Sequence, residues 1–160
     1  MYYAFIFPYL IYCVEVWGNA APTHLAPLCT IQNKIVRTIS CSHHRASAPP
    51  IYIKLGILPM QKIVIHRIAL MMYKYSNNLL PEIMNALYKS NNQVHSYGTR
   101  QKHLLHIPGG THTNNFCYKS VLVWNELTTR GVQSNVAMPK YKKSLKLFLQ
   151  HNDLRIGYTA

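Results

Sequence analysis

The 160-residue sequence is short of acidic side chains, with 4 Asp and Glu against 17 Lys and Arg and a formal net charge of +13. The carboxylates Glu15, Glu82, Glu126 and Asp153 stand far apart along the chain. Two-metal phosphoryl transfer, glycoside hydrolysis by a carboxylate pair and calcium loops all need several convergent carboxylates. We therefore expect no catalytic residues, no cofactor and no enzyme activity from this chain alone. A hydrophobic fraction of 49% nevertheless favours a folded protein over disorder.

The sequence also lacks any Cys-x-x-Cys motif, since Cys13, Cys29, Cys41 and Cys117 are widely spaced. This pattern predicts reduced, mostly buried thiols in a reducing compartment, nuclear or cytoplasmic, instead of a disulfide scaffold or a zinc ribbon. The His-rich stretch 103–117 matches no standard zinc spacing. We therefore predict no metal site and keep zinc binding there as a remote alternative.

No Lys or Arg precedes Lys34, so the apolar opening stretch 1–17 lacks the positive start of a signal peptide. It is also too short and too interrupted for a membrane span, and we expect neither secretion nor membrane contact. Its apolar residues recur with helical spacing and predict one amphipathic helix. The expected core-facing stripe is Ile6, Leu10, Cys13, Val14 and Trp17. An apolar opening without a cap is expected where a chain begins in the middle of a larger fold.

Hydrophobic periodicity predicts a mainly α-helical fold with several amphipathic helices, an irregular central loop region and at most one short β-hairpin. After the opening helix, further helices are predicted over about 24–40, 49–56, 60–76, 81–88, 116–127 and 139–151. We expect Leu28, Ile31, Ile35 and Ile39 to form the apolar face of the first of these. We divide the chain into a helical region 1–88, an irregular region 89–115 with a short strand near 103–107, and a helical region 116–160.

The positive surplus favours a polyanionic partner, either nucleic acid or an anionic membrane surface. We favour nucleic acid because the basic residues are spread along the predicted helices. Backbone phosphate contacts of this kind position a duplex and carry little sequence information. The alternative is a solvated basic surface without a specific ligand. The candidate nucleic-acid-binding residues are Lys34, Arg37, Arg45, Tyr97, Arg100, Lys102, Lys142, Lys143 and Lys146.

Several short motifs follow one another between residues 2 and 149. They are YYAFIFPYL at 2–10 with WGN at 17–19; Leu25, Leu28, Gln32 and Arg37; Arg45-Ala46 with Pro50, Leu55, Ile57 and Leu58; MYKYSNNLLP at 72–81; His95, Tyr97 and TRQ at 99–101; VWNEL at 123–127; and YKKSLKLFL at 141–149. Each motif is weak alone. Their order and spacing resemble the thumb and post-palm C-terminal region of non-LTR retrotransposon reverse transcriptases.

The resemblance implies that the parent protein is an RNA-directed DNA polymerase whose catalytic aspartates lie upstream and have no counterpart here. Region 1–88 would be thumb-like and region 116–160 a C-terminal extension. The fragment would grip RNA and RNA–DNA or DNA duplex by the backbone, and the upstream polymerase domains would be further partners. Two alternatives stay open: a basic helical protein-interaction module, and a non-functional relic reading frame.

Overall fold

A computed structural model describes residues 1–96, 98, 100–107, 109, 115–132 and 134–154. These residues are mainly α-helical and contain no strand, which confirms the predicted fold class. The short strand predicted near 103–107 is wrong, because the only β pairing in the described part is a single antiparallel bridge between Ser90 and Leu105. The residues around this bridge are turns and a four-residue helix, so there is no ladder for a hairpin to extend.

The long helices lie within two residues of their predicted bounds. The described residues form α1 (Tyr2–Phe5), α2 (Phe7–Ile11), α3 (Val14–Trp17), α4 (Pro22–Ile39), α5 (Ala48–Leu55), α6 (Met60–Ser76), α7 (Glu82–Asn85), α8 (Asn91–Val94), α9 (Phe116–Thr129) and α10 (Met138–His151). Gly56 ends α5 in the left-handed conformation, with φ of 63°, which glycine adopts without steric cost. The helix predicted over 81–88 is shorter than expected, because only 82–85 are helical.

The single helix predicted over 1–17 is wrong, because three short helices replace it. Cys13 has a φ of 49° and thereby interrupts the helical hydrogen-bond pattern between α2 and α3. Cys13 is exposed instead of core-facing, and Tyr2 and Val14 are the buried residues of this segment. Trp17 Nε1–H donates to the carbonyl oxygen of Tyr12 at 2.7 Å, across the break.

The core-facing side of α4 agrees with the prediction only in part, since Ile35 and Ile39 pack against buried core residues as expected. Ile31 is 52% exposed, while Leu25, Gln32 and Val36 are buried. Gln32 can be buried because its Nε2 donates to the hydroxyl of Tyr2 at 2.8 Å and to the carbonyl oxygen of Leu58 at 3.0 Å. The apolar pattern alone predicted that Ile31 faces the core, whereas its neighbour Gln32 is the residue that is buried.

The chain divides into two compact units. Unit 1 comprises Met1–Arg67 and Lys146–Ala160, and unit 2 comprises Ile68–Leu145. The boundaries therefore fall inside α6 and α10, whereas the predicted division at residues 88 and 115 stays a prediction. The core cluster of unit 1 consists of Tyr2, Val36, Ala48, Ile51, Tyr52 and Ile57. Buried apolar residues of unit 2 include Ile68, Met72, Val123, Leu127, Tyr141 and Leu145.

All four cysteines are free, as expected of reduced thiols, but the prediction that they are mostly buried is wrong. Cys13 and Cys41 are exposed, and Cys29 and Cys117 are half-buried. The two exposed cysteines have positive φ and lie in connectors between helices, where a core-facing position is not available.

Among the helices described, none is by itself long and apolar enough to span a membrane, and α5 with α6 passes that test only as a pair bent by 44°.

Candidate nucleic-acid interface

Most of the few carboxylates are used within the protein. In the described part of the chain, three ion pairs join Glu15 to Arg67 at 2.9 Å, Asp153 to Lys62 at 2.8 Å, and Glu126 to Arg130 at 2.7 Å. The remaining carboxylate, Glu82, is exposed. The ion pairs therefore neutralise only a small part of the 17 basic side chains. The exposed ones among the other basic side chains are solvated or bind anions.

Two candidate residues of unit 1, Lys34 and Arg45, are exposed. Lys34 lies on α4, and Arg45 lies in the connector 41–47 between α4 and α5. Arg37 is half-buried, and its Nε donates to the carbonyl oxygen of Ala46 at 2.8 Å. Arg37 therefore ties α4 to the connector that carries Arg45, in addition to supplying charge.

The connector also brings two imidazoles beside Arg45. The rings of His43 and His44 lie 4.2 Å apart between centroids, and both residues are exposed. The backbone N–H of Arg45 donates to Nδ1 of His43 at 3.3 Å.

The fourth candidate of unit 1, Lys146, is engaged with an aromatic side chain. Its Nζ donates to the hydroxyl of Tyr3 at 3.0 Å and lies 5.2 Å from the centroid of that ring. The Tyr3 hydroxyl in turn donates to the carbonyl oxygen of Gly56 at 2.8 Å. Lys146 thus helps to hold α1 and the end of α5 in place.

The described candidates of unit 2 are all exposed. Arg100 and Lys102 lie in the irregular segment before α9, and Lys142 and Lys143 lie on α10. Tyr97, the aromatic candidate, lies outside the described residues. Lys119 is a basic residue of unit 2 that is buried, and burial lowers the pKa of its ammonium group. Lys119 therefore does not contribute to a basic surface.

The segment that carries Arg100 and Lys102 is closed at its base. The backbone N–H of Asn91 donates to the carbonyl oxygen of Leu104 at 3.0 Å, and the N–H of His106 donates to that of Lys89 at 2.8 Å. These two bonds form the bridge between Ser90 and Leu105. We call the described residues of this segment, 90–96, 98 and 100–105, the basic loop.

A residue that sequence reasoning did not select, Asn125 on α9, binds this loop. The backbone N–H of Leu105 donates to its Oδ1 at 3.0 Å, and its Nδ2 donates to the carbonyl oxygen of Leu105 at 2.9 Å. Asn125 appeared only as part of the VWNEL motif. Asparagine is a poor residue for a helix interior because its amide competes for backbone groups, and this was the one available signal of a special role.

The described residues contain no group of three His, Cys, Asp or Glu side chains placed to hold a metal ion. His112, which belongs to the His-rich stretch, lies outside them.

Unit 1 contains an open cavity of about 760 Å³, lined by α5, the start of α6 and the end of α10. The residues that line this cavity come from the stretches 33–65 and 149–154. Because the two stretches are far apart in sequence, pattern analysis could not predict the cavity. Its walls are mainly apolar, with the Lys62–Asp153 ion pair among the lining residues.

The arrangement supplies exposed cations, without a carboxylate cluster, in both units. Such cations contact phosphate oxygens and release condensed counterions from nucleic acid. Comparisons of the chain with protein-family models, curated proteins and solved structures give no match. The functional interpretation therefore depends on the side chains themselves and on the motif resemblance.

Proposed function

We propose that this chain is the non-catalytic C-terminal fragment of a retrotransposon RNA-directed DNA polymerase, and that it grips template–primer duplex through phosphate contacts. The main support is the charge imbalance of 17 basic to 4 acidic residues, combined with the use of three carboxylates in internal ion pairs. The ordered motifs between residues 2 and 149 support the retrotransposon assignment.

The mechanism is electrostatic positioning of the nucleic-acid backbone. In unit 1, Lys34 and Arg45 are exposed and Arg37 holds the connector in place. In unit 2, the described candidate cations are exposed and lie on the basic loop and on α10. Lysine and arginine contact phosphates irrespective of base sequence, so the affinity depends on salt and only weakly on sequence.

The direct experiment is a fluorescence-anisotropy titration of the full chain with a labelled RNA–DNA hybrid duplex at several salt concentrations. We expect log affinity to fall with log salt at a slope of about −4 to −6, which corresponds to roughly five or six phosphate contacts. Hybrids of unrelated sequence should bind equally well. An absence of binding at low salt would contradict the proposal.

The variant Lys142→Ala/Lys143→Ala tests the cations of α10. We expect its affinity to fall by about tenfold at about 0.1 M salt and its salt slope to flatten by up to about 2. The matched control is Lys54→Ala/Lys74→Ala, which removes the same charge from two other exposed lysines. An equal loss in both variants, or a loss that is the same at all salt concentrations, would count against a specific contact by α10.

The protein-interaction alternative is favoured by a different surface. Phe5, Tyr9, Tyr12 and Val16 are 69%, 82%, 77% and 77% exposed, and exposed apolar residues in such numbers are typical of a surface that binds a partner. Under this alternative, hybrid binding should be weak and insensitive to removal of Lys142 and Lys143. The same titration therefore separates the two functions.

A further inference from the structure

We infer that Asn125 is a positioning residue that holds the basic loop in the shape in which Arg100 and Lys102 contact nucleic-acid phosphates. The inference rests on the proposed function and deepens it. It names the part of unit 2 that presents charge, and it assigns a role to a side chain that itself carries no charge.

The basic loop is closed by its own backbone. The bonds from Asn91 N–H to Leu104 O at 3.0 Å and from His106 N–H to Lys89 O at 2.8 Å bring its two ends together. Within the loop, Nδ2 of Asn91 donates to the carbonyl oxygen of Gln101 at 2.9 Å. Gln101 lies between Arg100 and Lys102 in sequence, so this bond fixes the backbone between the two cations.

A closed loop can still move as a body relative to the helices beside it, and Asn125 opposes this motion. Its amide binds both the N–H and the C=O of Leu105, as a neighbouring β-strand would, at 3.0 Å and 2.9 Å. The side chain of Leu105 is also buried. The C-terminal end of the loop is thus attached to α9 by two hydrogen bonds, and the burial of Leu105 also holds this end in place.

Attachment matters for binding because ordering a loop on its ligand costs conformational entropy. A loop that is already fixed on α9 avoids part of that cost. Without the amide of Asn125, Arg100 and Lys102 keep their charge but lose their fixed place. Their contribution to phosphate binding should then fall, although the charge of the chain is unchanged.

The test compares Asn125→Ala, Arg100→Ala/Lys102→Ala and the triple variant in the hybrid-duplex titration. We expect the first two to lose affinity by a similar factor, about tenfold at about 0.1 M salt, and to flatten the salt slope by up to about 2. The triple variant should bind no more weakly than Arg100→Ala/Lys102→Ala. This non-additivity is the signature of a residue that acts through the two cations.

The control for a general loss of stability is Asn115→Ala. Asn115 caps the same helix, and its Oδ1 accepts from the N–H of Cys117 at 2.8 Å. We expect this variant to lower the melting temperature by a few degrees, to the same extent as Asn125→Ala, and to leave the salt slope unchanged.

The possible failures differ from one another. If the parent chain does not bind the hybrid at low salt, the proposed function fails, and the binding role of Asn125 fails with it. If the parent binds but Asn125→Ala or Arg100→Ala/Lys102→Ala binds equally well, only the inference fails. An additive loss in the triple variant, or a flattened slope in Asn115→Ala, would show that Asn125 acts through stability alone.

Discussion

Unit 1 and unit 2 place their polar side chains differently. In unit 1, two of the four candidate cations, Arg37 and Lys146, bind groups of the protein itself, and two ion pairs tie distant segments together. In unit 2, the four described candidates are exposed, and the ion pair there joins residues one turn apart on α9. Unit 1 thus uses much of its charge for its own structure, whereas unit 2 leaves charge for a ligand.

Two buried polar side chains, one in each unit, differ in their hydrogen bonding. Unit 1 buries the amide of Gln32, and both donor contacts of its Nε2 are made to distant segments. Unit 2 buries the hydroxyl of Tyr141 without a hydrogen-bond partner in the described residues. A buried polar group stabilises only when it is paired. The comparison therefore predicts that removing the Gln32 amide destabilises the protein, whereas removing the Tyr141 hydroxyl does not.

The largest effect should come from Gln32→Ala. The change leaves the Tyr2 hydroxyl and the Leu58 carbonyl oxygen without the donor that Gln32 supplies, and it opens a cavity beside Val36 in the core of unit 1. We expect a loss of about 3 kcal/mol in the free energy of unfolding. The measurement is urea denaturation followed by circular dichroism, with the m value checked for constancy.

Gln32→Met is the matched control, because it keeps the volume of the side chain and removes the amide. It also removes Oε1 of Gln32, which has no hydrogen-bond partner among the described residues. We expect a smaller loss, about 1–2 kcal/mol. If the Gln32→Met variant is as stable as the parent, the amide contributes nothing to the stability of unit 1, and the comparison with unit 2 does not hold.

An intermediate effect is expected for Tyr88, whose pKa burial raises to about 12 from an ordinary value of 10.0. Above about pH 10 the unfolded chain loses this proton while the folded chain keeps it, so stability falls as pH rises towards 12. The effect amounts to about 2 kcal/mol. Tyr88→Phe cannot titrate, so unfolding at about pH 9 and about pH 12 should show its stability falling less than that of the parent.

The neutral form of Tyr88 shares a hydrogen bond of 2.9 Å with the hydroxyl of Ser120. Tyr88→Phe should therefore be about 1 kcal/mol less stable than the parent at about pH 9, and this deficit should shrink or reverse at about pH 12. Ser120→Ala breaks the same bond but keeps the phenol, so its deficit should not reverse. A constant deficit for Tyr88→Phe would show that the phenol ionises in the folded protein as it does in the unfolded chain.

The sequence predicted the helical regions well because their information is local. α6 and α10 have repeating apolar residues and a proline near the start, and their bounds agree with the predictions to within one residue. The opening segment was predicted wrongly because its apolar residues also recur with helical spacing. The left-handed backbone conformation of Cys13 breaks that helix. Pattern analysis could not predict this conformation, because position 13 is occupied by neither glycine nor asparagine, the residues that commonly adopt it.

The site could be predicted only in part. Charge is visible in composition, and the selected Lys142 and Lys143 of α10 are exposed, while their role in binding stays a prediction. The roles of Gln32 and Asn125 depend on backbone groups that lie 26 and 20 residues away in the chain. Pattern analysis predicts whether a residue is buried or exposed from the residues next to it in the sequence. A polar side chain that binds a distant backbone group therefore looks the same as one that faces water.

The smallest effect, and the one of opposite sign, is expected for Tyr141→Phe in unit 2. The Tyr141 hydroxyl is buried and unpaired in the described residues, while its ring stacks on Tyr73 with centroids 4.5 Å apart. Phenylalanine keeps the ring contact and removes the unpaired group, so stability should rise by up to about 1 kcal/mol. Tyr73→Phe is the control, because the Tyr73 hydroxyl donates to the carbonyl oxygen of Val136 at 2.6 Å and its removal should destabilise. Equal losses in both variants, measured by urea denaturation, would mean that the Tyr141 hydroxyl is hydrogen-bonded in solution and that it does not differ from the Gln32 amide in this respect.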